Sequence, residues 1–363
     1  MSTQTFGKSL LIVLAFSMTC SWQSRAFSDD YTLIISGSGG TEEYQKKFVD
    51  WGSRLRTVLT EKLGHEEDKV VWLAESGIEG ATCVEESTLE NIRHQISSLV
   101  ESVTTSDQVF IYLIGHGSYF YEELKFHIPG SDLTAQELND LISRLHPRNL
   151  VLINAASSSA GFINILSGEG RIICTSTKSV QEDNATEFME FFLQSLEEES
   201  ADLDHDERIT VYEACKQAAV LTEAWYVTSG FLATEHALID DNGDALGTRL
   251  VPDITEDSET GKSQEQTEEE NSAKPEEDGT LASRVFLKEF VFPPDTPEDL
   301  IEQYKHLLTQ VEDLKARKGE LEEKQYYKQL EILLVQAAQA NRKIRSYASR
   351  EISDATDGEQ EKL

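Results

Sequence analysis

The chain has few cysteines and few basic residues for its length. Among 363 residues there are 4 cysteines, and 32 lysines and arginines stand against 66 aspartates and glutamates, which gives a formal net charge of -34. Nucleic-acid binding requires clustered lysine and arginine to meet the phosphates, so this composition argues against a nucleic-acid partner. An acidic surface instead favours solubility and the attraction of divalent cations.

Long hydrophobic runs are also missing. The apolar stretch Leu10–Phe16 is much shorter than the roughly 20 residues needed to cross a bilayer, and no later run approaches that length. We therefore expect no membrane span. Lys8 before this stretch, and Ser24-Arg25-Ala26 after it, are typical of a cleaved signal peptide over residues 1–26. The mature protein is then predicted to be exported, to the periplasm or the extracellular space.

Removal of the signal peptide would leave three cysteines, Cys83, Cys174 and Cys215. An odd number in an exported chain excludes a complete disulfide framework. Cys174 lies in the apolar run Arg171–Thr175, so we interpret it as a buried small hydrophobic residue rather than a substitute nucleophile.

Short apolar runs alternate with helical patterns over the first two thirds of the chain. The predicted strands are Tyr31–Ser36, Val70–Leu73, Gln108–Ile114, Leu150–Asn154 and Arg171–Thr175. The predicted helices are Tyr44–Leu63, Leu89–Val103, Thr134–Arg144 and Thr186–Leu196. This alternation predicts an α/β fold with a mostly parallel sheet covered by helices on both faces. Such sheets carry their sites at the carboxyl ends of strands.

The composition changes after this α/β region, which spans residues 27–251. Residues 252–282 are predicted to be an acidic disordered linker, because acids dominate there and aromatic residues are absent. Residues 283–350 are predicted to form a helical hairpin or coiled coil, and 351–363 a polar tail. The two apolar stripes are Leu300, Tyr304, Leu307, Val311, Leu314 and Leu321, and then Tyr327, Leu330, Leu334, Ala337, Asn341 and Ile344. We expect this hairpin to be a packing module or a self-association surface.

Two of the predicted strands end in residues that can carry chemistry. Gly115-His116-Gly117 follows the strand Gln108–Ile114, and Ser157-Ser158-Ser159 follows Leu150–Asn154. A histidine and a small nucleophile at neighbouring strand ends form a nucleophile–base dyad in many α/β proteins. The sequence therefore predicts that His116 and Ser157 lie side by side at the carboxyl edge of the sheet.

The stretch Asp107–Ser118 resembles the histidine strand of caspase-like and legumain-like cysteine peptidases, the latter called peptidase family C13. In that clan the second strand ends in Ala-Cys-x-Ser-Gly, which residues 156–160 of this chain match at Ala156 and Ser159. The resemblance covers about residues 31–251, where it is similar to uncharacterised secreted bacterial members. It implies a caspase-like three-layer sandwich with a mostly parallel sheet.

The same resemblance implies roles for individual residues. His116 would be the general base, and the N–H groups of Gly117 and Ser157 would form an oxyanion hole. Ser157 stands where the clan has cysteine, and Glu43 falls near the position of the residue that orients the base. A serine hydroxyl keeps its proton at neutral pH and needs a well-oriented base, so the substitution predicts impaired or absent catalysis.

Two alternatives stay open beside this pseudopeptidase interpretation. The first is an active endopeptidase that uses a Ser157–His116 dyad. The second is a calcium-stabilised interaction module that binds partners through the carboxyl-terminal hairpin. In each case the expected partner is a protein or a peptide.

The calcium alternative depends on segment 202–213, which fits the ligand register of an EF-hand loop. The candidate ligand positions are Asp202, Asp204, Asp206, Arg208, Thr210 and Glu213. The sixth residue is Glu207 instead of glycine, so it would have to adopt a positive φ at a cost of roughly 1 to 3 kcal/mol. The pattern is therefore compatible with weakened Ca²⁺ binding or with a solvated acidic turn.

Overall fold

The structure, a computed structural model, describes residues 29–75, 85–252, 277–288, 292–293, 295–317 and 321–360. The predicted signal peptide, Cys83, most of the predicted linker and residues 361–363 lie outside the described residues. Within the described ranges, no helix combines the length and the apolar character needed to cross a membrane.

Strands and helices alternate along the first part of the chain. The strands are β1 (Asp30–Ser36), β2 (Val70–Ala74), β3 (Glu85–Glu86), β4 (Gln108–Ile114), β5 (Gly117–Phe120), β6 (Glu123–Phe126), β7 (Leu133–Thr134), β8 (Asn149–Asn154), β9 (Arg171–Thr175), β10 (Ile209–Thr210), β11 (Leu238–Asp240), β12 (Thr248–Arg249) and β13 (Phe286–Lys288). The α-helices are α1 (Glu42–Thr57), α2 (Leu89–Ser102), α3 (Ala135–Ile142), α4 (Gly161–Leu166), α5 (Phe188–Glu197), α6 (Val211–Ser229), α7 (Glu298–Ala316) and α8 (Glu323–Gln360).

Eight of the described strands form the central sheet, in the order β12-β11-β9-β8-β4-β1-β2-β3. The strands from β9 to β3 run parallel, and β11 and β12 continue the sheet in antiparallel pairing. Both faces are covered: Leu33 and Ile111 pack with Ile92 of α2, while the Tyr112 ring lies 6.2 Å from Phe192 of α5. The predicted α/β fold with a mostly parallel sheet is confirmed.

Local details differ from the predicted elements. The first helix ends as an α-helix at Thr57, and residues Val58–Lys62 continue as a single π-helical turn. A small antiparallel sheet, β5-β6-β7, follows β4 directly and was not among the predicted strands. Its strands are two to four residues long, too short for a periodic apolar pattern to show them.

The described residues form two compact units. The α/β unit comprises the described residues up to Leu203 and those from Thr210 to Val285. The helical unit comprises Asp204–Ile209 and the described residues from Phe286 onward. Inside the α/β unit, the Asp241 carboxylate accepts the N–H groups of Gly279 and Ala282 at 2.9 and 2.7 Å. The last residues of the predicted linker, from Glu277, are therefore ordered in that unit.

In the helical unit, α7 and α8 pack against each other around Tyr304, Leu307, Ala337, Ala340 and Ile344. The predicted stripe on α7 is confirmed at Tyr304, Leu307, Val311 and Leu314, which are buried. The predicted stripe on the first half of α8 is wrong by one residue. Tyr326 is buried but Tyr327 is 51% exposed, and Leu333 packs inward while Leu334 is 48% exposed. Adjacent apolar pairs allowed both registers, and only packing against α7 selects one.

Candidate active site

His116 and Ser157 lie at the same edge of the sheet because their strands are neighbours in register. Strands β4 and β8 run parallel, with Leu113 opposite Asn154. His116 and Ser157 each follow three residues after that pair, so both leave the carboxyl ends of adjacent strands. The predicted placement at neighbouring strand ends agrees with the structure.

Ser157 lies on a tight turn between β8 and α4. The Ala156 N–H donates to the Asn154 side-chain oxygen at 3.1 Å, which starts the turn, and Ser158 has a φ of +55°. A non-glycine residue in this left-handed region costs roughly 1 to 3 kcal/mol, and such strain concentrates at functional sites. The Ser158 N–H donates to the carbonyl oxygen of Glu182 at 2.8 Å, which helps to hold the strained residue in place. Ser157 itself is only 2% exposed.

The next residue of the motif, Ser159, fixes the turn to the neighbouring strand end. Its buried hydroxyl lies 3.2 Å from the Ser176 hydroxyl and 3.1 Å from the Thr177 hydroxyl. The Thr177 hydroxyl also accepts the Ala160 N–H at 3.0 Å. Ser159 therefore has a structural role, and Ser157 is the serine of the motif that faces the histidine strand.

Gly117 brings a backbone donor to Ser157. Its N–H donates to the Ser157 Oγ at 3.3 Å. A Cβ at this position would lie 2.4 Å from the Ser157 carbonyl oxygen, so a side chain does not fit without displacing the nucleophile turn. This close approach explains why glycine follows the histidine, and it directs one N–H toward the place where an oxyanion would form.

The His116 imidazole is partly buried against helix α1. The rings of Tyr44 and Phe48 meet it edge-on, with centroids 4.6 and 4.9 Å away. Burial lowers the pKa of His116 below its usual 6.5, and electrostatic interactions with the nearby basic groups His127 and Lys47 lower it further. The imidazole is therefore neutral at pH 7, which is the protonation state that a general base requires.

The structure does not join His116 to a hydroxyl or a carboxylate. Among the described residues, no hydrogen bond links the His116 ring to Ser157 or to any other side chain, whereas Ser157 Oγ accepts the Gly117 N–H. Glu43, the predicted neighbour of the orienting position, is exposed in the first turn of α1 and makes no hydrogen bond to His116. Within the part of the chain that the structure describes, no third group therefore fixes the orientation of the base by a hydrogen bond.

Two neighbouring residues that support the nucleophile turn had no predicted role. The His236 Nδ1 lies 2.5 Å from the Glu182 Oε1, and the other Glu182 carboxylate oxygen accepts the Lys178 N–H at 2.8 Å. Glu182 thus receives hydrogen bonds at its side chain and, from Ser158, at its carbonyl group. No local sequence pattern indicates this contact, because His236 and Glu182 are 54 residues apart in the chain.

Glu235 fixes the start of α5 from inside the core. Its carboxylate accepts the N–H groups of Glu187 and Phe188 at 2.7 and 3.1 Å, and the Tyr226 hydroxyl lies 3.1 Å away. Desolvation outweighs these hydrogen bonds and raises the pKa of Glu235 to about 7. Such a buried acid next to a site cannot be recognised from sequence, because the apolar surroundings come from distant elements.

The free cysteines of the described chain are Cys174 and Cys215, and both are buried. Burial in an apolar core raises the pKa of the Cys174 thiol, and its contact with Cys215 raises it further. A thiol that resists ionisation is a poor nucleophile. This environment agrees with the interpretation of Cys174 as a core residue.

The acidic loop shows some EF-hand features. Side-chain oxygens of Asp204 and Asp206 lie within 4.8 Å of each other, and Glu207 has a φ of +71°, as its sixth position requires. Glu213 instead forms a capping box, in which its carboxylate accepts the Thr210 N–H at 2.9 Å.

The loop acids also have basic partners. Both Asp206 oxygens accept hydrogen bonds from Arg208, and in the helical unit Lys315 lies 3.8 Å from Asp204. Arg345 pairs with Glu207 in the same unit. The structure therefore brings the candidate ligands Asp204 and Asp206 together and places Arg208, Thr210 and Glu213 in hydrogen bonds of the protein.

Comparison with known proteins shows which family part of this chain resembles. Residues 87–235 match the model of the peptidase C13 family. This segment is similar to the peptidase C13 family. A search of curated proteins finds no match. The matched segment runs from α2 through β4 and β8 to Glu235, so it contains His116 and Ser157. The match and the mixed α/β architecture confirm the legumain-like and caspase-like resemblance and fold.

Proposed function

We propose that this chain is an exported C13-fold protein that recognises peptides at the His116–Ser157 edge and hydrolyses them poorly or not at all. The observation that carries the proposal is the hydrogen bond from Gly117 N–H to Ser157 Oγ, combined with a His116 imidazole that has no hydrogen bond in the described chain. The Gly117 N–H, which would stabilise an oxyanion, lies next to Ser157, but the His116 imidazole makes no hydrogen bond to the Ser157 hydroxyl in the described chain.

The chemical reason lies in the nucleophile. A cysteine beside an imidazolium forms a thiolate, since its pKa falls from about 8.5 to between roughly 3.5 and 7.5 in such sites. Serine cannot ionise there and depends on a base that is aligned during the attack. Among the described residues no side chain orients His116 by a hydrogen bond, so the aligned base that a serine needs is missing.

The test compares the unsubstituted chain with Ser157→Ala, Ser157→Cys and His116→Ala. Each is assayed for cleavage of a capped peptide library and for labelling by a thiol-directed electrophile. We expect negligible cleavage by the unsubstituted chain, and labelling or cleavage by Ser157→Cys that His116→Ala removes. Cys174→Ala in the Ser157→Cys background controls for labelling of a core thiol.

Two outcomes would change the proposal. Efficient cleavage by the unsubstituted chain, lost in both Ser157→Ala and His116→Ala, would establish the active serine endopeptidase instead. A Ser157→Cys variant that neither cleaves nor labels would show that the site no longer supports covalent chemistry. The interaction module would then be the better description.

For that interaction module, two observations give support. The Asp204 and Asp206 carboxylates lie close together, and α8 exposes large apolar side chains at Tyr327, Ile332, Leu334 and Val335. We infer weak calcium binding by the loop and self-association through α8. Calcium at 100 times its dissociation constant would stabilise the fold by about 2.7 kcal/mol, so melting curves with calcium and with chelator should separate. Coincident melting curves across millimolar calcium concentrations would exclude calcium binding.

Self-association through α8 is tested by sedimentation of the Leu334→Asp variant beside the unsubstituted chain.

A further inference from the structure

The hairpin formed by β5 and β6 begins one residue after His116 and has one open edge. Within the described residues, β5 pairs only with β6, so its other side has no strand partner. An unpaired strand edge presents a row of N–H and C=O groups that can accept another strand. This edge also reaches the proposed nucleophile.

The register decides which groups of β5 point outward. His127 donates its N–H to the His116 carbonyl oxygen at 2.9 Å, which makes His116 and His127 a hydrogen-bonded pair. In an antiparallel ladder such pairs alternate, so Gly117 and Tyr119 direct their N–H and C=O groups away from β6. The Gly117 N–H confirms this direction, since it points to Ser157 Oγ. Tyr119 offers the next outward pair, about 7 Å further along the strand.

Aromatic side chains end this edge. Tyr119, Phe120 and Tyr121 are 45%, 65% and 85% exposed, and the rings of Phe120 and Tyr121 meet with centroids 4.1 Å apart. Tyr121 and Glu122 occupy the two-residue turn with φ values of +48° and +64°. Glycine or asparagine would usually hold such positions, so a tyrosine is kept there against its backbone preference. Three consecutive exposed aromatic residues beside a site are typical of a recognition surface.

We propose that the outward edge of β5 binds an extended peptide substrate by β-strand addition, with its backbone paired to Tyr119 and an apolar side chain held by Phe120 and Tyr121. The peptide carbonyl group nearest Ser157 would then accept a hydrogen bond from the Gly117 N–H. This edge site rests on the proposed function, in which the chain recognises peptides, and adds how the peptide is bound. Main-chain pairing supplies affinity in this mode, and the alternate side chains supply specificity.

The decisive variants are Tyr119→Pro and Tyr119→Ala. Both lose the tyrosine ring, but only proline also loses the outward N–H, and an edge strand tolerates proline at such a position. Binding of fluorescently labelled, capped decapeptides, each with one fixed amino-acid type at one position, is measured by anisotropy in the Ser157→Ala background. We expect a dissociation constant about two- to tenfold higher for Tyr119→Pro than for Tyr119→Ala, the loss of one ordinary hydrogen bond.

The aromatic part is tested with Phe120→Ser/Tyr121→Ser, which should remove the preference for aromatic or leucine side chains near one fixed position. The matched control is Phe231→Ser, at an exposed phenylalanine of α6's carboxyl-terminal side, which should leave binding unchanged. Equal affinities of Tyr119→Pro and Tyr119→Ala would overturn the strand-addition mode, and so would the absence of binding at millimolar peptide. Cleavage by the unsubstituted chain is scored separately, so failure of the proposed function leaves the binding result readable.

Discussion

The α/β unit and the helical unit bury their apolar residues in different ways. Every residue of β4 from Val109 to Ile114 is fully buried, because helices cover both faces of the sheet. Over residues 324–347, helix α8 buries one stripe of side chains, and Tyr327 and Leu334 next to that stripe are about half exposed. A central parallel strand leaves no choice of face, whereas in a helix pair the register is settled by packing.

The difference between the α/β unit and the helical unit can be tested because different spectroscopic signals report their unfolding. Trp51, Trp72 and Trp225 belong to the α/β unit, and the sequence of the helical unit contains no tryptophan. Tryptophan fluorescence therefore follows unfolding of the α/β unit. Circular dichroism at helical wavelengths also follows the hairpin.

The largest effect is expected in the sheet. Phe110 is completely buried in β4, and Phe110→Ala should lower the free energy of unfolding by about 3 to 5 kcal/mol, since the cavity cannot close in a sheet covered on both faces. Denaturant unfolding followed by tryptophan fluorescence measures the loss. Phe231→Ala, at a residue 64% exposed, is the control and should change stability by no more than about 0.5 kcal/mol. Similar losses for both variants would contradict the core assignment.

A smaller, pH-dependent effect is expected from Glu235. Its folded pKa of about 7 lies above the ordinary value of 4.5, so the folded state holds the proton more tightly than the unfolded state. Its contribution to stability is therefore complete below pH 4.5 and is lost as pH rises to 7, by at most about 3 kcal/mol. Glu235→Gln should flatten this decline in unfolding experiments at several pH values.

Glu101→Gln is the matched control for that experiment, because Glu101 is exposed in α2. Its pH profile should follow that of the unsubstituted chain. An unchanged decline in Glu235→Gln would mean that another group carries the pH dependence, and would remove Glu235 as the acid that fixes α5.

The smallest expected effect tests which side chains of α8 are buried in the hairpin. Tyr326→Ala should destabilise the helical unit by about 1.5 to 3 kcal/mol, because that side chain is buried, whereas Tyr327→Ala should cost no more than about 0.5 kcal/mol. Thermal unfolding followed by circular dichroism distinguishes them. A larger loss for Tyr327→Ala would restore the register predicted from the sequence.

The sequence alone determined five of the eight strands of the central sheet and the ends of two of them. Apolar runs such as Gln108–Ile114 predicted strands because a doubly covered strand must be apolar throughout, and the glycines around His116 marked its end. The same strand ends indicated a nucleophile–base pair at His116 and Ser157, and their resemblance to the C13 family implied the role of each residue. Local pattern was sufficient there because parallel strands in register bring their carboxyl ends to one edge.

Only the tertiary structure decided what surrounds those two residues. The contacts of His116 with Tyr44 and Phe48, the support of Ser158 by Glu182 and His236, and the buried Glu235 carboxylate all join residues far apart in sequence. Desolvation and hydrogen bonding depend on which residues are close in space, so the spacing of residues along the sequence does not predict them. The outward direction of Tyr119 likewise follows from the pairing of β5 with β6, which fixes the face of every backbone group on that strand.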